Sequence, residues 1–200
     1  WQLVVMYYKK ALEIDTELED HRGIATDLNN IGIVYKDKGE FEKALDYHLR
    51  ALDIHRKIKD LDGEASDLGN IGSVYYERGE LDKALEYHRE SLRIQRLVGD
   101  PVEGAHQLGN IGLIYSEKGD LEVALQYHRR AMEIHQRIGH PLGEATQMGN
   151  IGLIYKNQGK LDEALDYHTK ALKIHRKVGY AQGEADQLGS IRLIYSTRGD

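Results

Sequence analysis

The feature that most constrains this sequence is a short segment that returns every forty residues. Its clearest copy is LGNIGLIY at 108–115, and related copies stand at 28–35, 68–75, 148–155 and, in degraded form, 188–195. Four columns hold in all five copies, represented in the first by Ala25, Ile31, Tyr35 and Gly39. A fixed period of this length predicts a stacked array in which each unit contacts only its neighbours.

The spacing of apolar residues predicts two helices in each repeat. Apolar side chains recur at three- and four-residue steps through 25–35 and again through 41–58, which is typical of amphipathic helices. Gly39 falls between the two runs, where a helix needs a left-handed terminal residue, and Gly79, Gly119 and Gly159 repeat it. The chain is therefore predicted to form ten helices, beginning with a second-type helix at about 2–19 and closing with a first-type helix at about 182–198.

The forty-residue period also predicts the boundaries of the repeats. We expect a single array over 1–200, with a half repeat at 1–20, full repeats at 21–60, 61–100, 101–140 and 141–180, and a half repeat at 181–200. In the last segment Ser190 and Arg192 replace an asparagine and a glycine of the other copies. We therefore expect its helix to act as a cap, or to pair only loosely with the sequence that follows it. Since the sequence begins at Trp1 and stops within a repeat, we interpret it as a piece of a longer protein.

Composition excludes several classes of function. The chain has no cysteine, so disulfides and thiolate metal sites are excluded and a cytoplasmic location is expected. No apolar run approaches the roughly 20 residues of a membrane span. A membrane is therefore not expected as a partner. The formal charge of −6 provides no basic field for phosphate groups, so nucleic acid is not expected either.

The opening helix departs from the pattern of the later second-type helices. Leu3 and Met6 stand where the next repeat has Lys43 and Asp46, and Val4 replaces an alanine. These apolar side chains are expected to face solvent unless upstream sequence or another chain covers them. The apolar N-terminal helix is therefore a candidate surface for self-association.

The residues Gly32, Tyr35, Gly39 and Ala44, followed by a histidine, an alanine and a leucine at 48, 51 and 52, resemble the tetratricopeptide repeat motif. The usual repeat of that family has 34 residues, and the pattern here is similar to the long repeats of kinesin light chain and LGN-type scaffold proteins. The resemblance implies an all-α α-solenoid, a right-handed superhelix of stacked antiparallel helix pairs. It also implies that the first helix of each pair lines a concave groove.

An asparagine column on the first helices is the main candidate for ligand binding. An amide side chain offers a donor and an acceptor, which suits the backbone of an extended peptide. The alternative is that these asparagines bond between neighbouring helices and set the stacking angle. The candidate groove residues are Asn30, Asn70, Asn110 and Asn150, with Ser73, Leu113, Leu153, Lys36, Tyr76 and Lys156.

Two glycine columns accompany the asparagines. Gly69, Gly109, Gly149 and Gly189 precede the asparagine position, and glycine inside a helix costs about 1 kcal/mol relative to alanine. Either a ligand backbone or close packing of consecutive first helices would explain them, and the sequence does not separate the two. The second column, Gly32, Gly72, Gly112 and Gly152, is expected to allow close approach of alanines on the partner helix, beginning with Ala44.

Histidines form two rows on the second helices, His48, His88, His128 and His168, then His55, His135 and His175. No carboxylate or cysteine recurs with them, so we interpret them as buried core residues bonded to tyrosine or backbone, and predict no metal site or cofactor. Stability should then fall as the pH drops below about 6.5.

No catalytic motif is present, so an enzyme is not expected. We predict a scaffold that binds a protein or peptide partner, or alternatively a regulatory or oligomerising module of a larger enzyme.

Overall fold

The computed structural model describes residues 1–199, and within that range the chain forms ten α-helices and no strand. The helices are α1 (Gln2–Glu17), α2 (His21–Asp37), α3 (Phe41–Ile58), α4 (Leu61–Glu77), α5 (Leu81–Val98), α6 (Pro101–Glu117), α7 (Leu121–Ile138), α8 (Pro141–Asn157), α9 (Leu161–Val178) and α10 (Ala181–Arg198). The predicted all-α helical-repeat class is thereby confirmed.

Glycine ends the first helix of each pair as predicted. Gly39, Gly79, Gly119 and Gly159 have φ between 74° and 84°, a conformation that side chains with a Cβ rarely adopt. At the ends of the second helices Gly99, Gly139 and Gly179 do the same, whereas Lys59 adopts a φ of 59° without being glycine. The left-handed residue reverses the chain and starts the next helix within a few residues.

The helices pack in chain order in two compact units, Trp1–Asp100 and Pro101–Asp200. Within each unit the two helices of a pair contact each other most extensively, and the second helix then packs on the first helix of the next pair. The largest core cluster of the first unit contains Leu52, Leu68, Ile71 and Ile94. In the second unit Leu125, Ile151 and Ile154 form the corresponding core.

The opening helix exposes its apolar residues, as the sequence predicted. Leu3 is 62% exposed and Met6 is 41% exposed, and Tyr7, Ile14 and Leu18 are exposed on the same helix and its C-terminal cap. At the other end of the chain, Arg192 is exposed on α10. None of the helices in the described part of the chain is both long and apolar enough to cross a membrane.

Candidate peptide-binding face

The predicted binding residues all lie on the first helix of a pair, and we call this surface the first-helix face. In the first unit it contains Asn30, Lys36, Asn70, Ser73 and Tyr76, and in the second unit Asn110, Leu113, Asn150, Leu153 and Lys156. Each of these side chains is partly or fully exposed. Because α2 contacts α4 and α6 contacts α8, equivalent residues lie on adjacent helices within each unit.

The four asparagines do not have the same surroundings. The Asn70 side chain donates a hydrogen bond from Nδ2 to Asn29 Oδ1 at 3.0 Å, which joins α4 to α2. The side chains of Asn30, Asn110 and Asn150 make no hydrogen bond to any other residue in 1–199. The structural interpretation of the column therefore applies to Asn70, whereas the other three amides have no side-chain partner within the described residues.

The glycines that precede the asparagines in the second unit are covered by glutamines from the next repeat. A Cβ atom on Gly109 would lie 3.0 Å from the amide nitrogen of Gln147, and one on Gly149 would lie 3.2 Å from that of Gln187. Nothing approaches the corresponding position of Gly189 within 4 Å. These contacts favour close packing of consecutive first helices as the reason for Gly109 and Gly149.

The same glutamines accept hydrogen bonds from buried histidines. His128 donates from Nδ1 to Gln147 Oε1 at 2.8 Å, and His168 donates to Gln187 Oε1 at 2.8 Å. In the first unit His48 donates to Asn29 Oδ1 at 2.6 Å. The expectation of tyrosine or backbone acceptors was wrong for these three histidines. The tyrosine instead stacks on a second tyrosine, as Tyr35 does on Tyr47 at 5.4 Å between ring centroids.

The ring of each of these three histidines lies against a glycine of the second column. A Cβ atom on Gly112 would lie 2.8 Å from Cε1 and Nε2 of His128, and Gly32 and Gly152 face their histidines in the same way. The nearest neighbours of this column are therefore histidine rings, where the sequence analysis expected alanines. The Nε2 atoms of His48, His128 and His168 are buried with no hydrogen-bond partner.

This environment disfavours the charged imidazole. Burial, with a smaller contribution from the charge of Lys36, lowers the pKa of His48 from 6.5 to about 4. Burial also lowers the pKa of His128 and of His168, although the glutamine hydrogen bond opposes the shift. A proton on Nε2 would be an N–H group buried without an acceptor, so these rings stay neutral at physiological pH.

The remaining residues of the first-helix face differ in whether they already bond to other residues of the chain and in how exposed they are. Lys36 Nζ lies 3.4 Å from Glu77 Oε1, and Ser73 Oγ donates to the Gly69 carbonyl at 3.0 Å. Leu113 is half-buried, whereas Leu153 is 45% exposed. Lys156 forms no ion pair with any residue in 1–199. The second unit thus offers free amides, apolar side chains and a free cation on one face.

The sequence analysis missed several buried or clustered polar groups. His55 Nδ1 lies 2.6 Å from Asp67 Oδ2, and both side chains are almost completely buried. Three further histidines, at 106, 135 and 140, cluster in the second unit. Only His135 belongs to a repeated row, so the signal that could have found the cluster was the departure of the other two from the pattern of the repeats.

Comparison with known families agrees with this architecture. A family model described as tetratricopeptide repeat matches residues 2–57, 28–97 and 103–177. No curated protein sequence matches the chain significantly.

Several solved structures share the fold at low sequence identity. BtubC (BKLC) from P. vanneervenii is 20% identical with a TM-score of 0.86, over 100% of this chain and 84% of that one. A Rap protein complexed with Competence and Sporulation Factor is 23% identical with a TM-score of 0.80, and the match covers 96% of this chain but only 52% of the Rap protein. The nearly identical TPR-like repeats of a Podosopora anserina protein named for kinesin light chain are 14% identical, with a TM-score of 0.69 over 87% and 86% of the two chains.

Proposed function

Because this chain belongs to the tetratricopeptide repeat family, whose fold is typically non-catalytic, we propose that it is a protein–protein interaction scaffold. Its first-helix face binds an extended segment of a partner protein. A cytoplasmic location, expected from the absence of cysteine, is part of this proposal.

The observation that carries the proposal is the pair of unengaged amides on α6 and α8. Asn110 and Asn150 are partly exposed at equivalent positions on adjacent helices, and neither bonds to another residue in 1–199. A side-chain amide can donate to a peptide carbonyl and accept from a peptide N–H at the same time. Two such amides can therefore hold the backbone of an extended segment without selecting its sequence.

The side chains beside these amides suggest what such a segment contains. Leu113 and Leu153 offer apolar surface, and the free Lys156 ammonium offers a partner for a carboxylate. A segment with apolar residues and an acidic residue fits this combination. The Rap protein, which has a similar fold and was solved in complex with Competence and Sporulation Factor, supports the proposal as an example of this fold with a bound partner.

Peptides selected from a displayed library of random linear 12-residue sequences test this proposal. We expect the double variant Asn110→Ala/Asn150→Ala to bind the selected peptides about tenfold or more weakly, because it loses several hydrogen bonds of about 0.5–1.5 kcal/mol each. Fluorescence anisotropy of labelled peptides measures the change. The melting temperature should stay the same, since neither amide has a partner within the described fold.

Asn70→Ala is the matched control, because that asparagine bonds to Asn29. We expect this variant to lose about 1 kcal/mol of stability through the missing bond between helices. A double variant that keeps full peptide affinity would exclude the amides of the second unit from binding. A double variant that melts earlier than the wild type would reassign those amides to structure.

The exposed stripe on α1 carries a second candidate function, an oligomerising module. Leu3, Tyr7 and Ile14, together with Leu18 at the helix end, are between 56% and 71% exposed and recur at helical spacing on one side of the helix. A second copy of the chain offers the same stripe, and a contact between two identical surfaces closes as a symmetric dimer. We therefore infer self-association through α1.

Sedimentation velocity is expected to show a dimer that dissociates on dilution. The double variant Leu3→Glu/Tyr7→Glu should remain monomeric, since it places two charges within the apolar contact. Glu13→Gln, on an exposed position of the same helix, serves as the control and should leave the dimer intact. A wild-type chain that stays monomeric at all accessible concentrations would rule out this contact.

A further inference from the structure

Three histidines from three helices meet in the second unit. His106 lies in α6, His135 lies in α7, and His140 is the N-cap residue of α8. One ring nitrogen from each lies within 4.8 Å of the other two. The ring centroids are 5.6 Å apart for His106 and His135, 6.3 Å for His106 and His140, and 5.0 Å for His135 and His140.

This cluster is not a product of the repeat. The position of His106 is occupied by Thr26, Ser66 and Thr146 in the other full repeats, and that of His140 by aspartate or tyrosine at 20, 60, 100 and 180. His135 recurs as His55 and His175, but the second repeat has Gln95 in its place. Packing of the array therefore requires neither His106 nor His140.

The spacing of the ring nitrogens suits a metal ion. The Nδ1 atoms of His135 and His140 are 3.2 Å apart, close to the roughly 3.4 Å between two ligands of a tetrahedral ion bound at about 2.1 Å. Closing the widest nitrogen separation, which is at most 4.8 Å, to this value requires a movement of up to about 1.4 Å. The His106 side chain, which is 43% exposed, lies at the surface and can make this movement with little repacking. Three imidazoles with an open fourth position form a known zinc ligand set.

Two neighbouring residues affect the room between the histidine rings and the orientation of His106. A Cβ atom on Gly143 would lie 2.5 Å from Nδ1 of both His135 and His140. Gly63 and Gly183 lie against His55 and His175 in the same way, so this glycine belongs to the repeat, and here it leaves room for a second imidazole. The Glu103 carboxylate lies 3.3 Å from His106 Nδ1 and can accept its N–H. The other ring nitrogen of His106 then keeps its lone pair, as in a carboxylate–histidine–metal arrangement.

We propose that His106, His135 and His140 bind a divalent zinc ion, whose fourth position is open to water or to a partner's side chain. The ion joins α6, α7 and α8 and so fixes one helix pair to the first helix of the next. The first-helix face of the second unit lies on two of these helices, α6 and α8. This site is separate from the amides of the proposed function, so either proposal can fail without the other.

Titration of the metal-free 200-residue protein with zinc chloride at pH 7.5 tests the site. Isothermal calorimetry should give one ion per chain, and the melting temperature should rise with zinc. Co²⁺ in place of zinc should give the intense visible absorption of a tetrahedral site. Each of the variants His106→Thr, His135→Gln and His140→Asn should lower the affinity at least about tenfold, because each removes one of three ligands.

Two of the three replacement residues occur at equivalent positions elsewhere in this chain. Thr146 and Gln95 show that the fold accommodates the first two replacements, and asparagine at 140 removes the imidazole while retaining a helix N-cap residue. His175→Gln is the matched control, since His175 is the counterpart of His135 outside the cluster, and it should leave zinc affinity unchanged. Weak binding that the three variants do not alter, or that His175→Gln reduces equally, would overturn the proposal. His106→Thr alone decides the outcome if either of the other variants fails to fold.

Discussion

Replacing Gly112 with alanine is expected to lower the free energy of unfolding by about 1–3 kcal/mol, the usual range for overpacking a core. The new Cβ atom would lie 2.8 Å from the His128 ring, which is fully buried. That ring is unable to retreat easily, because Nδ1 is held by Gln147 at 2.8 Å. Urea denaturation of the wild type and the variant at pH 7.5 measures the difference.

Gly189→Ala is the control for this experiment. Gly189 also lies within a helix, but nothing approaches its Cβ position within 4 Å. Alanine there should raise stability by about 0.5–1 kcal/mol, since it restricts the unfolded chain without a clash. The two substitutions are therefore expected to change the free energy of unfolding in opposite directions, although both lie in the first helix of a pair. A Gly112→Ala variant as stable as the wild type would show that the histidine ring moves aside and that its fixed position is not what requires glycine.

Acidification from pH 7.5 to 5 is expected to remove a large part of the stability of this protein. Burial lowers the pKa of His48, His128, His168 and His175 below the ordinary value of 6.5. The unfolded chain takes up these protons near pH 6.5 and the folded chain does not, so the loss begins there. For His48, whose pKa lies at about 4 in the folded chain, the loss between pH 6.5 and pH 5 amounts to about 2 kcal/mol. Burial lowers the pKa of His128, His168 and His175 in the same direction, so their losses add to that of His48.

The measurement consists of urea denaturation at several pH values between 7.5 and 5, with a chelator present to exclude metal ions. Carboxylates contribute little in this range. Lysine and arginine partners lower the pKa of Glu40, Glu80 and Glu90, so the stability these groups provide is lost only at more acidic pH. Burial raises the pKa of Asp67, and its protonation would oppose the loss.

His175→Gln is the matched variant for the pH dependence, because Gln95 occupies the same position two repeats earlier. This variant should lose less stability than the wild type between pH 6.5 and 5, by up to about 1.4 kcal/mol per pH unit. Thr169→Ser, on an exposed position of the same helix, should leave the pH dependence unchanged. Equal stability of the wild type at pH 7.5 and pH 5 would contradict neutral buried histidines.

The sequence indicated which residues form the candidate binding face, but it did not show which of them are already hydrogen-bonded within the fold. Asn70 and Asn110 occupy the same column, yet Asn70 bonds to Asn29 and Asn110 to no residue in 1–199. The difference arises from a residue outside the column, since Asn29 stands where the later repeats have glycine. Hydrogen bonds between residues 41 positions apart depend on side-chain placement across two helices, which a periodic pattern does not contain.

The length of one side chain similarly decides which histidine receives a partner. Asp67 bonds to His55 of the second row, whereas the longer Gln147, at the equivalent position two repeats later, reaches His128 of the first row. The sequence shows the exchange of aspartate for glutamine. Only the distances between packed helices show that it changes the hydrogen-bond network of the core.

The repeat architecture was readable from the sequence, because helix spacing, turn glycines and the forty-residue period are local properties that recur in each copy. Membership of the family and the order of the helices follow from them. The tertiary structure decided what lies opposite each repeated residue: histidine rings against Gly32, Gly112 and Gly152, and glutamine amides over Gly109 and Gly149. It also brought His106, His135 and His140 together from three helices. These contacts join side chains that only packing makes neighbours, so no pattern along one helix reveals them.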